Sequence, residues 1–163
     1  MKELSQCLVV VVDDTPSNVD LLVATLADDY DLTVATDGQT ALELVEENPP
    51  DLILMDIMMP GLNGYDVCQR LKQDPRFRDI PLIFITAKAE VTDERLGFEV
   101  GAVDYIVKPI SPPIVRARVR THLTLRLAQL ALEEQNRELL ESARLKEDVD
   151  HIMRHDLKGP LTN

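Results

Sequence analysis

Asp13, Asp14, Asp56, Thr86 and Lys108 are the residues of this chain whose types and placing suit one common chemistry. Each closes, or directly follows, a short run of aliphatic residues. Carboxylates brought together repel one another, and a divalent cation relieves that repulsion. Magnesium prefers such hard oxygen ligands and keeps several waters, which leaves room for a phosphate. With a metal and an ammonium group neutralising the phosphoryl oxygens, a carboxylate can attack phosphorus. Lys108 offers the ammonium, and the Thr86 hydroxyl can hydrogen-bond another phosphoryl oxygen. Taken singly, Asp13-Asp14 would equally cap the helix that follows, and Asp56 would start a turn. The case for a site rests on five residues falling at the ends of separate, correctly ordered runs.

Those runs are Leu8–Val12, Leu32–Ala35, Leu52–Met55, Leu82–Ile85 and Val103–Val107. They are short, rich in Val, Ile and Leu, and largely apolar rather than alternating, as a strand buried on both faces of a parallel sheet reads. Helical spacings lie between them. Val19, Leu22, Val23 and Leu26 form one face, preceded by Thr15-Pro16-Ser17, which offers a capping hydroxyl and a first-turn proline. Asp37-Gly38 opens a helix with Ala41, Leu42 and Val45, and Asn63-Gly64 opens another with Val67, Cys68 and Leu71. A fourth runs from Glu90 to Val100, with Gly101 placed to end it. Strand and helix in alternation predict a doubly wound α/β sandwich with right-handed crossovers. In such sheets, sites form at the carboxyl ends of the strands, where the runs end in Asp13, Asp56, Thr86 and Lys108.

The chain has 163 residues and a net charge of −12, unevenly spread. Residues 1–113 hold 21 Asp and Glu against 8 Lys and Arg, whereas residues 114–163 hold 8 against 9. An acidic first part disfavours nucleic-acid binding, because phosphates are repelled. No apolar run approaches the roughly 20 residues needed to span a bilayer, and the first residues lack the apolar core of a secretory signal. The two cysteines, Cys7 and Cys68, have no metal-ligand spacing and fit a reducing cytosol, so a cytoplasmic location is expected.

After Pro113 the pattern changes. From Ile114 to about Leu157 there is neither proline nor glycine, and leucines recur among charges. Leu123, Leu127 and Leu130 follow a 4–3 spacing, Leu132 and Leu139 are a heptad apart, and Leu145, Val149 and Ile152 resume the 4–3 spacing. A helix of this length, on the order of 65 Å, is too long to fold back on so small a sheet. A homodimeric coiled coil is therefore expected, with phase shifts near residues 130 and 143. Near the end, His155 is followed at once by Asp156, which can accept a proton from the ring and sharpen the other nitrogen as a nucleophile. His122 and His151 are read as solvated side chains. Pro160 would kink the helix.

The first part resembles a response-regulator receiver domain over residues 6 to about 122. The resemblance is carried by Asp13-Asp14, by the segment from Leu54 through Asp56 to Gly64, by Thr86-Ala87 and by Lys108-Pro109. It implies a flavodoxin-like five-stranded parallel sheet of order 2-1-3-4-5, with Asp56 as the phosphorylated residue and a phosphohistidine protein or kinase as donor. It implies Mg²⁺ held by Asp13, Asp14, Asp56 and the Met58 carbonyl, and a cis bond before Pro109. It also implies that Tyr105 swings inward when the Thr86 hydroxyl moves toward the phosphate; the plainer reading of Tyr105 is a strand-edge tyrosine. The stretch around His155 is similar to the phosphoacceptor motif of sensor histidine kinases, with Asp156 where Glu is commoner and Gly159 where Thr or Asn is usual. By that resemblance His155 takes the phosphoryl group and Asp156 assists it.

The expected organisation is a receiver at 1–122, a coiled-coil linker at 123–147 and the start of a kinase dimerisation helix at 148–163, as in a fragment of a hybrid histidine kinase. The first functional reading is a phosphorelay receiver that regulates an attached histidine kinase through the helix, the chain itself lacking an ATP-binding part. The alternative is a non-enzymatic, phosphorylation-dependent dimerisation adaptor for another output domain. A DNA-binding regulator has little support, since the tail shows no helix–turn–helix spacing and no concentrated basic face.

Overall fold

The fold was analysed in a computed structural model that describes residues 2–87 and 91–158, with backbone alone for 91–94 and 154–158. Five strands, β1 (Leu8–Val12), β2 (Asp31–Ala35), β3 (Leu52–Asp56), β4 (Leu82–Thr86) and β5 (Asp104–Val107), alternate with α1 (Pro16–Leu26), α2 (Gly38–Glu47), α3 (Gly64–Gln73), α4 (Val91–Val100) and α5 (Pro112–Lys158). All strands pair in parallel in the order β2-β1-β3-β4-β5. This is the doubly wound sheet that the sequence predicts.

Two apolar layers hold it. Val10, Val12, Ile53, Met55, Leu82, Phe84 and Tyr105 face α2 and α3, where Ala41, Val45, Val67, Cys68 and Leu71 are buried. Val9, Val11, Leu52, Leu54, Ile83, Ile85 and Ile106 face Leu22 and Leu26 of α1 and Val115, Val119 and Leu123 of α5. Alternate residues of each central strand thus enter opposite layers, which is why β1, β3 and β4 read as unbroken aliphatic runs.

The edge strands depart from that reading. β2 buries only Ala35 fully, and in β5 Val107 is exposed. Each has a single neighbour, so its outer flank meets solvent. The start of α1 differs too. Pro16 takes the first helical position, but the Thr15 hydroxyl caps nothing; the Thr15 amide instead donates to Asp13 Oδ1 at 2.9 Å. The caps of α2 and α3 form as expected, Asp37 accepting from the Thr40 amide and Asn63 from the Asp66 amide. Gly101, at φ 108°, ends α4 in a conformation that suits glycine.

The chain divides into two compact units, residues 1–127 and 128–163. The first contains the sheet, both apolar layers and α5 as far as Leu127. In the second, Leu132, Leu139, Leu140, Leu145, Val149, Ile152 and Met153 are all exposed along the helix. Among the described residues no helix is long and apolar enough to cross a membrane.

Candidate functional site: an acidic pocket at the strand ends

The register of the sheet sets the site. Asp13 directly follows β1, with its amide donating to the Ala35 carbonyl at 3.2 Å. Asp56 is the last residue of β3, and Thr86 the last of β4. The Lys108 amide donates to the Thr86 carbonyl, extending the β4–β5 ladder by one rung. The peptide bond between Lys108 and Pro109 is cis. Beyond Asp56 the Ile57 amide bonds the Ile85 carbonyl and the Gly64 amide returns to the Ile57 carbonyl, closing a tight loop that turns at Gly61, φ 78°.

Carboxylate oxygens of Asp13, Asp14 and Asp56 all lie within 4.8 Å of one another. Asp13 and Asp56 are buried, whereas Asp14 is exposed at the rim. Lys108 Nζ stands 3.3 Å from Asp56 Oδ2 and 3.9 Å from Asp13 Oδ2. Asp56 Oδ1 accepts from the Met58 amide at 3.3 Å. Burial first, and then the neighbouring Asp13 carboxylate, push the Asp56 carboxyl above its ordinary range; the Lys108 ammonium and the Met58 amide pull the other way.

One oxygen is left over. Asp13 Oδ2 is buried and, among the described residues, has no hydrogen-bond partner. A buried carboxylate oxygen in that condition is costly unless a cation completes its surroundings. The donor set is all oxygen and, among the described residues, its charge is only partly offset by Lys108, which fits a hard divalent ion such as Mg²⁺. Asp13, Asp14 and Asp56 are the groups that would hold it.

A response regulator receiver domain model matches residues 9–120 of the sequence. The chain belongs to this family. Among its relatives, a "Probable cyclic di-GMP phosphodiesterase" of Vibrio cholerae is 44% identical over 136 residues, covering 83% of this chain and 31% of that protein. "Response regulator PleD" of Caulobacter vibrioides is 46% identical over 114 residues, covering 69% of this chain and 25% of that one. Among solved structures, the signal receiver domain of a signal transduction histidine kinase from Syntrophus aciditrophicus matches with a TM-score of 0.68 and 30% identity, over 72% of this chain and 90% of that one. The chain therefore spans less than a third of the length of these two curated relatives, and its matched part is a receiver domain of two-component signalling.

The receiver places the sequence-predicted residues as follows. Asp13, Asp14, Asp56 and Lys108 meet at one rim, and Thr86 ends the neighbouring strand, buried. The Met58 side chain is 75% exposed beside them. Tyr105 is buried rather than lying out at the strand edge. Its ring packs edge-on against Phe98 of α4, centroids 5.1 Å apart, and tilted against Phe84 of β4 at 5.9 Å. His155 and Asp156 fall on the last turns of α5, where no side chain is described, and Gly159 and Pro160 lie outside the described residues.

One histidine is corrected. His122 is not merely solvated: its Nε2 lies 2.9 Å from Asp104 Oδ2, and Arg118 donates to the other oxygen of the same carboxylate. Arg118 and His122 are one helical turn apart on α5 and both reach Asp104 at the start of β5. That i, i+4 pair was the visible signal. His151 is exposed, as expected.

Proposed function

We propose that Asp56 of this receiver domain accepts a phosphoryl group and that the result is passed to an output domain through α5. The observation that carries the reading is the buried, nucleophile-bearing acid pocket, in which, among the described residues, an Asp13 oxygen has no hydrogen-bond partner and the Lys108 ammonium stands beside Asp56. A bound Mg²⁺ would supply charge neutralisation for the phosphoryl oxygens as they pass through the transition state.

The chain's own residues do the rest. The Asp56 oxygen remote from the Met58 amide is the one facing Lys108. That oxygen forms the new bond to phosphorus while the bond from phosphorus to the donor, an imidazole nitrogen of a phosphohistidine, breaks; the imidazole leaves as the neutral ring after taking a proton. Lys108 stays protonated and pairs with the incoming negative charge. The Thr86 hydroxyl is the donor for a further phosphoryl oxygen, and its movement toward the phosphate favours the buried position of Tyr105 over an outward one.

Two outputs are compatible with this pocket. In the first, the attached partner is a histidine kinase with His155 as phosphoacceptor and Asp156 assisting it, paired as a homodimer through α5. The likeness to a receiver from a signal transduction histidine kinase accords with it. In the second, the receiver serves another output. The match to the probable cyclic di-GMP phosphodiesterase favours this one, because its 136 aligned residues exceed the stretch 9–120 and so take in chain beyond the receiver model. Substituting His155→Ala in the full-length protein separates them, since only the kinase reading loses histidine phosphorylation.

The pocket itself is tested by incubating the protein with Mg²⁺ and a small phosphodonor and following the mass of the intact chain. A single phosphoryl adduct, labile to hydroxylamine and missing in Asp56→Asn, is the expected result. An adduct that persists in Asp56→Asn would place the acceptor elsewhere.

A further inference from the structure

The Tyr105 ring ends against the backbone of α4 at one residue. A Cβ placed on Gly97 would overlap the Tyr105 hydroxyl oxygen, come within 2.5 Å of Cζ and lie 3.0 Å from Cδ2 of Phe84. No side chain larger than hydrogen at position 97 is compatible with Tyr105 where it stands. Gly97 is buried, and it sits in the middle of a helix, where glycine lowers helix stability relative to alanine. An apolar face needing only helix would use alanine there. The glycine is accounted for by the ring tip that it admits.

The ring has somewhere else to go. β5 is an edge strand whose flanking residues Val103 and Val107 are exposed, and Phe98 on the adjacent helix is 54% exposed. Rotation about the first side-chain torsion would carry the Tyr105 ring out of the slot and onto that surface. The slot also adjoins the acid pocket. Tyr105 is registered with Phe84, and Thr86, two residues further along β4, is registered with Val107. Phe84, Thr86 and Tyr105 therefore share one face of the sheet, with Thr86 at the Asp56 end and about 7 Å of strand between it and Phe84.

We propose that Gly97 is a positioning residue of the switch: the notch it leaves in α4 is what allows Tyr105 to occupy its buried position, and filling the notch holds the ring out whatever the state of Asp56. The proposal rests on Asp56 being the phosphoacceptor for its regulatory meaning, but the notch itself does not. A methyl group at position 97 would thus disconnect the α4–β5 surface from the acid pocket without touching any residue that binds phosphate or metal.

The test uses the full chain labelled with 3-fluorotyrosine, which gives three resonances, one for each tyrosine. The Tyr105 signal is assigned by Tyr105→Phe. In wild type it is expected to report a buried ring, and titration with Mg²⁺ and beryllofluoride is expected to sharpen or shift it. In Gly97→Ala it should move to a solvent-exposed position and stay there on adding the mimic, whose affinity should fall about five-fold or more, the lower end of ordinary allosteric coupling. A buried, wild-type-like Tyr105 signal in Gly97→Ala, with unchanged mimic affinity, overturns the proposal.

A thermal-melt cycle guards against simple misfolding. Gly97→Ala should lower the melting temperature when Tyr105 is present and leave it level or raise it when Tyr105→Ala has removed the ring, apart from a small adjustment of Phe84. Equal loss in both backgrounds would overturn the notch. Failure of wild type to bind Mg²⁺ and beryllofluoride would instead sink the phosphoacceptor reading, while the resonance and melting results would still decide the notch.

Discussion

At the scale of single residues, two aspartates carry opposite electrostatic histories. Asp56 is buried beside Asp13, and its carboxyl is held above the ordinary range by burial first and by Asp13 second. Between the unfolded value, near 3.9, and the raised folded one, the native state binds more protons than the unfolded chain, so stability falls as pH rises through that window. Asp56→Asn removes the buried charge. In the absence of divalent ions it should melt a few degrees above wild type at pH 7, and the gain should vanish below about pH 3.5. A lower melting temperature for Asp56→Asn at pH 7 would show that the attraction of Lys108 outweighs burial. Asp104 runs the other way. Desolvation raises its carboxyl, but the hydrogen bonds from His122 and the Tyr105 amide, with the charge of Arg118, outweigh it and leave it below the usual range. A folded value below the unfolded one contributes stability above the unfolded value and loses it as pH falls through the folded value. Asp104→Asn should therefore cost about 1–3 kcal/mol at pH 7, read from denaturant midpoints, with the deficit shrinking on acidification below pH 4.

At the scale of elements, the difference between a cap that forms and one that does not is measurable. Asn63 accepts from the Asp66 amide while Asp66 reaches back to the Asn63 amide, closing a box at the start of α3. Asn63→Ala should lower stability by about 1 kcal/mol, whereas Thr15→Ala, which removes a hydroxyl that caps nothing, should change it by only a few tenths. Equal losses at both sites, in urea unfolding, would contradict the observed caps. The contrast also shows what a sequence can carry. The aliphatic runs of β1, β3 and β4 announced themselves because both their faces enter an apolar layer, and the strand-end aspartates followed from that frame. Strand β2 carries a more ambiguous pattern, since Leu32 and Val34 are core-type residues that lie at an edge. Thr15 looked like a cap, but its amide is drawn to Asp13 instead, a contact set by the pocket rather than by local pattern. The slot at Gly97 was not legible, because it joins residues from different elements and no spacing along the chain encodes it; of the Asp104–Arg118–His122 cluster the chain shows only the i, i+4 pair on α5, not the strand residue it reaches.

At the scale of the whole molecule, the second unit raises the question of what covers its helix. Leu132 and Leu139 stand a heptad apart, 65% and 62% exposed, and Asn136 lies between them on the same face. Burying a leucine contributes about 1.5–3 kcal/mol, so an isolated helix surface of this kind gains substantially from a partner. The proposed homodimer supplies one, and it makes a quantitative claim. Full-length chain should sediment as a dimer at micromolar concentration. Leu132→Lys with Leu139→Lys removes two apolar contacts from each helix and adds like charges to the seam, which should raise the dissociation constant at least a hundred-fold. Neither residue belongs to the compact unit of residues 1–127, so Mg²⁺ and beryllofluoride binding should be unchanged in the same variant. A doubly substituted chain that remained dimeric would move the contact to another surface, and one that lost mimic binding along with pairing would show that the receiver's site depends on the paired state. Retained binding with lost pairing is the expected outcome, and it would make the helix a relay for the acid pocket rather than a part of it.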